Sequence, residues 1–421
     1  MRFILNICLI NLFILVISCE DTWYQKIEPP MDIAEDRALK DRIDLPLLTK
    51  GVLINLMYVY SDLVSASDLI SDQIEFSQSV INATFSSYDQ LDGRGRIDQA
   101  DDGSQFHDNI SCIYNYASVG RFRKHADLLI ETVSLLDDEN SSAEDTAAFY
   151  TGYLAGGLSR ALYATYFALT DDGEPGSPID DGPMISTANM FSDARSKYLL
   201  ALPYATESEK RVLYSLIGKT YLLEEDYIEA AIYLSQGMEA GDAPLQALYS
   251  YDYANNYYEQ MGLGRTQGMV PNRFMDYVAE NPLEVNRLPF VEVETLGEQR
   301  YVQTKYPEAI SPVNVISWQE NYLMLAEVSL RGASVAVSPV VAVNTVRTEH
   351  GLGALESVNL DVVYVERDKE LWCTGNRASD QTRWNRWHNT TNVGTEVEET
   401  IYGEWRYLSI SLYEKNNNPN I

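Results

Sequence analysis

Leu45, Leu47, Leu48, Val52, Leu53, Leu56, Met57, Tyr60, Leu63 and Leu69 recur at steps of three and four residues, the spacing that lines one face of an α-helix. The same periodicity returns over about 109–136, 144–169, 187–202, 207–240 and 316–348, so the pattern predicts amphipathic helices in series. Between them lie stretches rich in Gly, Asp, Asn and Pro, over about 86–108, 170–186, 241–312 and 389–403. The third is too long for a simple connector, and long loops on a helical scaffold tend to carry binding.

The stretch 207–240 reads as a helix pair. Tyr214, Ile217, Gly218 and Tyr221 stand at the spacing of the first helix of a tetratricopeptide repeat, and Ala230 falls where the second helix carries a small residue. Gly218 and Ala230 lack bulk and let the helices approach, Tyr214 and Tyr221 fill the groove alongside, and Glu224-Glu225-Asp226 makes the turn. Tyr322, Leu325 and Ala326, followed by an apolar-periodic stretch at about 335–347, read as another pair, and Gly156-Gly157 marks a third, weaker one. Such repeats stack to bury one continuous core. The expected fold is therefore all-α dominated, with tetratricopeptide-like helix pairs forming an α-solenoid body with long loops, as a single domain over 42–421.

The N-terminus follows another logic. Arg2 precedes an apolar run from Phe3 to Ile17, too short to cross a bilayer comfortably, and Val16-Ile17-Ser18-Cys19 leads into the acidic Glu20 and Asp21. This looks like a bacterial lipobox: residues 1–18 read as a lipoprotein signal peptide, Cys19 as the lipidated first residue of the mature chain, and 19–41 as a flexible tether. An ordinary secretory signal with a chance cysteine is the other reading. Two or more acyl chains anchor a protein stably without spanning the membrane.

Charge and cysteine usage narrow the function. With 31 basic and 62 acidic residues among 421, a formal charge of −31, the chain is a poor candidate for gripping nucleic acid or anionic lipid through basic surface. Cleavage after Ser18 removes Cys8 and, if Cys19 is acylated, leaves Cys112 and Cys373, which form no C-x-x-C pair and no disulfide framework, although a bridge between them stays open. The 29 tyrosines, against 11 phenylalanines and 6 tryptophans, supply flat faces with a hydrogen-bonding tip.

Motifs for chemistry are lacking. There is no H-E-x-x-H, G-x-S-x-G or C-x-x-C. Ile217-Gly218-Lys219-Thr220 echoes a phosphate-binding loop, but Leu213 stands where the motif needs glycine and the segment lies inside a predicted helix. Gly262-Leu263-Gly264 with Gly268 has the wrong spacing for a dinucleotide fingerprint, and His107, His125, His350 and His388 are scattered. Asp98, Asp101, Asp102 and Asp108 lack the spacing of an EF-hand and read as a solvated acidic loop or a calcium site. No cofactor is called for.

The C-terminal third carries a resemblance. Residues 315–330 (VISWQENYLMLAEVSL), Ala342-Val343-Asn344-Thr345-Val346-Arg347 running into Gly351-Leu352, Glu366-Arg367-Asp368-Lys369-Glu370-Leu371-Trp372, then Gly375, Arg377, Asp380, Arg383 and Trp384, and finally Asn418-Pro419-Asn420 occur in that order. Together these resemble the SusD/RagB family of outer-membrane nutrient-uptake lipoproteins, closely over 310–421 and by element order before that. Trp372-Cys373-Thr374-Gly375 departs from the family's aromatic-Glu-Gly step, and the chain is shorter than most members. The resemblance implies a non-enzymatic surface lipoprotein of the outer membrane, facing the cell exterior. It would sit as a lid on a TonB-dependent, SusC-like β-barrel transporter and pass inward a glycan or other oligomeric nutrient.

Sugar rings pack C–H faces on aromatic planes, and their hydroxyls need carboxylates, amides and guanidinium groups. Two loops hold that mixture: Tyr88, Asp89, Asp92, Arg94 and Arg96, and Tyr249, Tyr251, Tyr253, Asn255, Asn256, Tyr257 and Tyr258. Among these, Tyr88, Asp89, Arg94, Arg96, Tyr249, Tyr251, Tyr257 and Tyr258 are the candidate ligand contacts. The bland alternative is a solvated turn around Gly93 and Gly95 in the first loop, and alternate tyrosines packed on the helical body in the second. Trp318 and Tyr322 read as core, and Glu366, Arg367, Glu370, Arg377 and Arg383 as structural ion pairs. Two other classes stay open: a helical-repeat scaffold for envelope assembly, and a lipid-anchored glycan-processing enzyme.

Overall fold

The computed structural model describes residues 42–77, 86–92, 109–136, 142–169, 175–295, 297–386 and 406–421. The signal segment, Cys19 and the tether, together with Arg94, Arg96, Asp98, Asp101, Asp102, Asp108 and the side chain of Asp89, lie outside the described residues.

The periodic stretches are helices, and local capping sets their ends. Helix α1 (Leu45–Ile70) begins with proline in its first turn; from Val59 onward it is buried on nearly every side, its Ser61, Ser65, Ser67 and Asp68 included. Its N-terminal half leaves Leu47, Leu53 and Tyr58 exposed. Helix α2 (Ile110–Leu136) starts where Asn109 Oδ1 accepts from the amides of Ser111 and Cys112. Helix α3 (Ala143–Tyr166) opens with a capping box between Ser142 and Asp145, and α4 (Thr187–Ala201) is capped by Ser186. Helix α5 (Glu207–Leu223) repeats the capping box with Thr206 and Glu209, and Asp226 caps α6 (Tyr227–Leu234). Glu225 takes φ +61 in the turn between them.

Each of these helices packs on its neighbours in sequence, and α1 lies across α2 and α3. Gly218 makes the α5–α6 approach possible: a Cβ there would lie 2.6 Å from Leu234 Cδ2, while Ala230 opposite is fully buried. Gly157 plays the same part between α3 and α4, where a Cβ would sit 2.6 Å from Tyr198 Cδ1. Tyr221 stacks on Tyr233 at 5.6 Å. The arrangement is the tetratricopeptide-like body expected from the spacing.

Between α6 and the last group of helices the chain is more ordered than its composition suggests. It holds α7 (Asn272–Glu280) and a hairpin of β1 (Phe290–Thr295) and β2 (Glu298–Gln303), turned at Gly297 with φ +82. The alternation Val291-Glu292-Val293-Glu294 is a strand signal that the Gly- and Asn-rich surroundings mask. Then come α8 (Trp318–Leu330), α9 (Pro339–Glu349), α10 (Leu360–Glu370) and α11 (Arg377–Trp384), with α8 packed on α6, α9 and α10. Trp318 is buried with Tyr322 edge-on at 5.6 Å. One contiguous apolar core runs from Leu45 to Ile410. Cys112 and Cys373 are free and buried rather than bridged, and burial pushes the Cys112 thiol up to about 12.

Candidate functional site: a tyrosine-lined seam on helix α1

The structure brings the two polar loops together. Glu75–Phe76 pairs antiparallel with Gly268–Met269, and Ser77 N donates to Gln267 O at 2.8 Å. The turn of Ser86–Gln90 is tied down by Asn109, whose Nδ2 donates to Ser87 O at 2.8 Å. From the second loop, the short helix Asn256–Glu259 is capped by Asn255 and docks on α1: Asn256 N donates to Ser61 Oγ at 3.1 Å and its Nδ2 to Ser65 Oγ at 2.6 Å. At the join, Tyr88 OH donates to Asn256 Oδ1 at 3.5 Å.

The tyrosines divide by burial. Tyr257 is fully buried; its hydroxyl donates to Asp68 Oδ2 at 2.5 Å and its ring stacks on Tyr306 at 5.0 Å. Tyr249 is buried as well. Neither can offer a ring face to a ligand in solution, so both expectations are corrected: Tyr257 ties the loop to α1, and Tyr249 packs into the apolar core. The physical reason lies in Asp68, a carboxylate in the wholly buried half of that helix, which needs donors and takes them from Tyr257 and from Gly375 N at 3.1 Å. Gly375 has φ +78, and a Cβ on it would come within 2.6 Å of Val64 Cβ. Burial pushes Asp68 up to about 7 against those hydrogen bonds.

Tyr251 is 80% exposed, and Tyr258 and Tyr88 are half-buried. Sequence reasoning left out Tyr58 and Asp62, and named Tyr253 in the loop without counting it among the contacts. Tyr253 OH donates to Asp62 Oδ2 at 2.7 Å, and its ring meets Tyr58 edge-on at 4.4 Å. Burial raises Asp62 to about 6 despite the Tyr253 hydroxyl. The signal available was the run of polar residues Ser61, Asp62, Ser65 and Asp68 on α1; it marks where the loop docks. The result is a seam in which Tyr58, Tyr88 and Tyr253 gather around the Asp62 carboxylate and the Asn256 amide, with Tyr251 and Tyr258 carried on the same loop as Tyr253, a set of side chains suited to rings with apolar faces and hydroxyl rims.

Elsewhere, a cleft of about 330 Å³ lies between α2, the loop at 178–181 and the C-terminal turn, lined in part by Tyr116, Arg121, Lys124, Asp181 and Tyr413. Asn418 and Asn420 hold that loop through the carbonyls of Gly182 and Asp181. Among the described residues no group of three His, Cys, Asp or Glu side chains is placed to hold a metal ion.

No family model matches the sequence, and no curated protein matches it either. Solved structures do match. A SusD superfamily protein from Bacteroides vulgatus superimposes with a TM-score of 0.71 at 15% identity, over 91% of this chain and 98% of that one. The chain has the SusD-like fold. A laminarin-binding SusD-like protein matches with a TM-score of 0.64 at 13% identity, over 91% of this chain and 98% of its own. Surface glycan-binding protein A from Bacteroides uniformis matches with a TM-score of 0.63 at 13% identity, over 89% and 98%. At such identities the likeness resides in the path of the SusD-like chain.

Proposed function

We propose that this protein is a surface lipoprotein, anchored through Cys19 after removal of residues 1–18. Its single SusD-like domain, 42–421, binds a glycan and delivers it to a TonB-dependent outer-membrane transporter. The observation that supports the reading best is the likeness, over nine-tenths of the chain, to proteins described as laminarin-binding and surface glycan-binding. In this reading the half-exposed tyrosines of the seam stack on sugar rings and the protein performs no chemistry. Arg94, Arg96 and Asp89 belong to the same loop and stay in the proposed contact set beside Tyr88, Tyr251 and Tyr258.

Affinity electrophoresis of the mature chain against a panel of neutral polysaccharides tests the binding. Retardation by at least one glycan, weakened in Tyr251→Ala and Arg94→Ala, is the expected result; retardation unchanged in both variants defeats the site. Turnover of the polysaccharide defeats the binding-only reading. Co-purification of a large β-barrel from outer membranes in mild detergent tests the partner, and its absence together with a periplasmic location favours an assembly scaffold.

A further inference from the structure

A second cleft, of about 280 Å³, opens between the turn at Asn286 and Pro289, the start of α8 and the end of α10, with Lys305 in its wall. Its size is close to the lower end for small-molecule sites, roughly 300–1,000 Å³, and suits one ring rather than a polymer. No tyrosine, tryptophan or phenylalanine lines it; apart from Pro289 and Leu371, the lining is amides, hydroxyls and ionisable groups.

The charges around it do not balance. Arg287 pairs with Glu284 at 2.7 Å and Glu366 at 2.8 Å, Lys369 with Glu284 at 2.9 Å, Arg347 with Glu366 at 2.5 Å, and His350 Nε2 with Glu370 at 2.8 Å. Glu320 is taken by Lys219 at 2.7 Å. Lys305 has no ion-pair partner among the described residues. Its ammonium donates to the carbonyls of Trp372 at 2.7 Å and Glu370 at 3.2 Å, which occupies two of three donors. Burial works against its charge and holds it below the ordinary lysine value. An anion seated beside it would supply the missing partner.

The uncharged lining also keeps capacity in hand. Asn314 Oδ1 accepts from Gln246 at 2.9 Å, and its Nδ2 makes no hydrogen bond among the described residues. Asn286 Nδ2 donates to His350 O at 2.8 Å, and its Oδ1 accepts no hydrogen bond among the described residues. The half-buried Gln319 makes no side-chain hydrogen bond among the described residues. A ligand that satisfies both sets carries one negative charge and several hydroxyls.

We propose that this cleft binds an acidic sugar, a hexuronate, with Lys305 meeting its carboxylate and Asn286, Asn314 and Gln319 meeting its hydroxyls. The sugar half of the assignment rests on the glycan-binding reading; the carboxylate half rests on the charge imbalance alone.

Thermal-shift titration of the mature chain with glucuronate, galacturonate, glucose and acetate tests it. Either uronate raises Tm in a saturable way, while glucose and acetate at the same concentrations do not. Lys305→Met weakens the uronate effect at least about 10-fold, the loss of one charge-assisted hydrogen bond. Gln319→Glu puts a like charge at the mouth without breaking any hydrogen bond of the fold; it removes the uronate shift and leaves the ligand-free Tm near wild type. No shift with either uronate, an equal shift with glucose or acetate, or a shift retained in Gln319→Glu overturns the proposal. Neutral-polysaccharide retardation measured on the same variants separates the two readings. If it persists without a uronate shift, the cleft alone fails; if the shift persists without retardation, the tyrosine seam alone fails.

Discussion

At the residue scale, Asp68 sets the tone of the interior. Its carboxyl is buried, hydrogen-bonded by Tyr257 and Gly375, and raised from 3.8 to about 7. A raised folded-state pKa means that the stabilisation is full below the unfolded value of 3.8, declines as pH climbs, and is gone above about 7. Its ceiling is about 4 kcal/mol. Asp380 and Glu370 act in the opposite sense. Burial works to raise both, but Arg367 and Arg383 beside the first, and His350, Arg287 and Lys305 beside the second, hold them below the ordinary carboxylate values. Their stabilisation is present above the unfolded value and lost as acid is added. Stability should therefore peak at mildly acidic pH. Urea unfolding is expected to show the protein less stable at about pH 8 than at about pH 5, and Asp68→Asn, which mimics the neutral acid, should flatten that slope.

At the scale of elements, the α5–α6 pair shows how a local pattern becomes a packed unit. The repeat spacing placed Gly218 and Ala230 correctly because close approach of two helices demands small residues whatever surrounds them. Gly218→Val would drive a side chain into Leu234, already 2.6 Å from the position of a Cβ. Such overpacking costs about 1–3 kcal/mol, and a matching drop in the urea midpoint with unchanged helical signal is the expected outcome. The β1–β2 hairpin was less legible, since its alternation is short and flanked by turn-forming residues. The seam was legible only in part: loop composition marked the two segments that meet on α1, but not which of their tyrosines face outward.

At the scale of the whole molecule, Asp368 on α10 joins three distant parts of the chain. It accepts from Gln73 Nε2 at 2.8 Å, from Arg273 Nε at 3.0 Å and from Tyr277 OH at 3.2 Å, and lies 3.3 Å from Arg377 Nη1. Arg273 and Arg377 both also reach Asp72, just past the end of α1. Removing one partner of a buried ionic network leaves charge uncompensated and costs about 3–5 kcal/mol. Asp368→Ala should lower the stability by that order in denaturant titration. The loss should appear in a single transition, because the network lies within one continuous core.

The sequence by itself determined the long helices of the body, the close-packed repeat pairs and the ionic character of the C-terminal motifs, since each depends on residues within a few turns of one another. Tertiary structure alone decided the two populations of tyrosines. Tyr257 and Tyr258 are adjacent in the chain, yet one is sealed and the other half-open, because the partner of Tyr257 is Asp68, 189 residues away. Lys305 makes no direct ion pair among the described residues for the same reason: Glu370, whose charge it feels, is already paired with His350, and the other glutamates near it pair with arginines and lysines. Periodicity reports which face of an element is apolar, whereas exposure and unspent charge depend on what long-range contacts have already been satisfied.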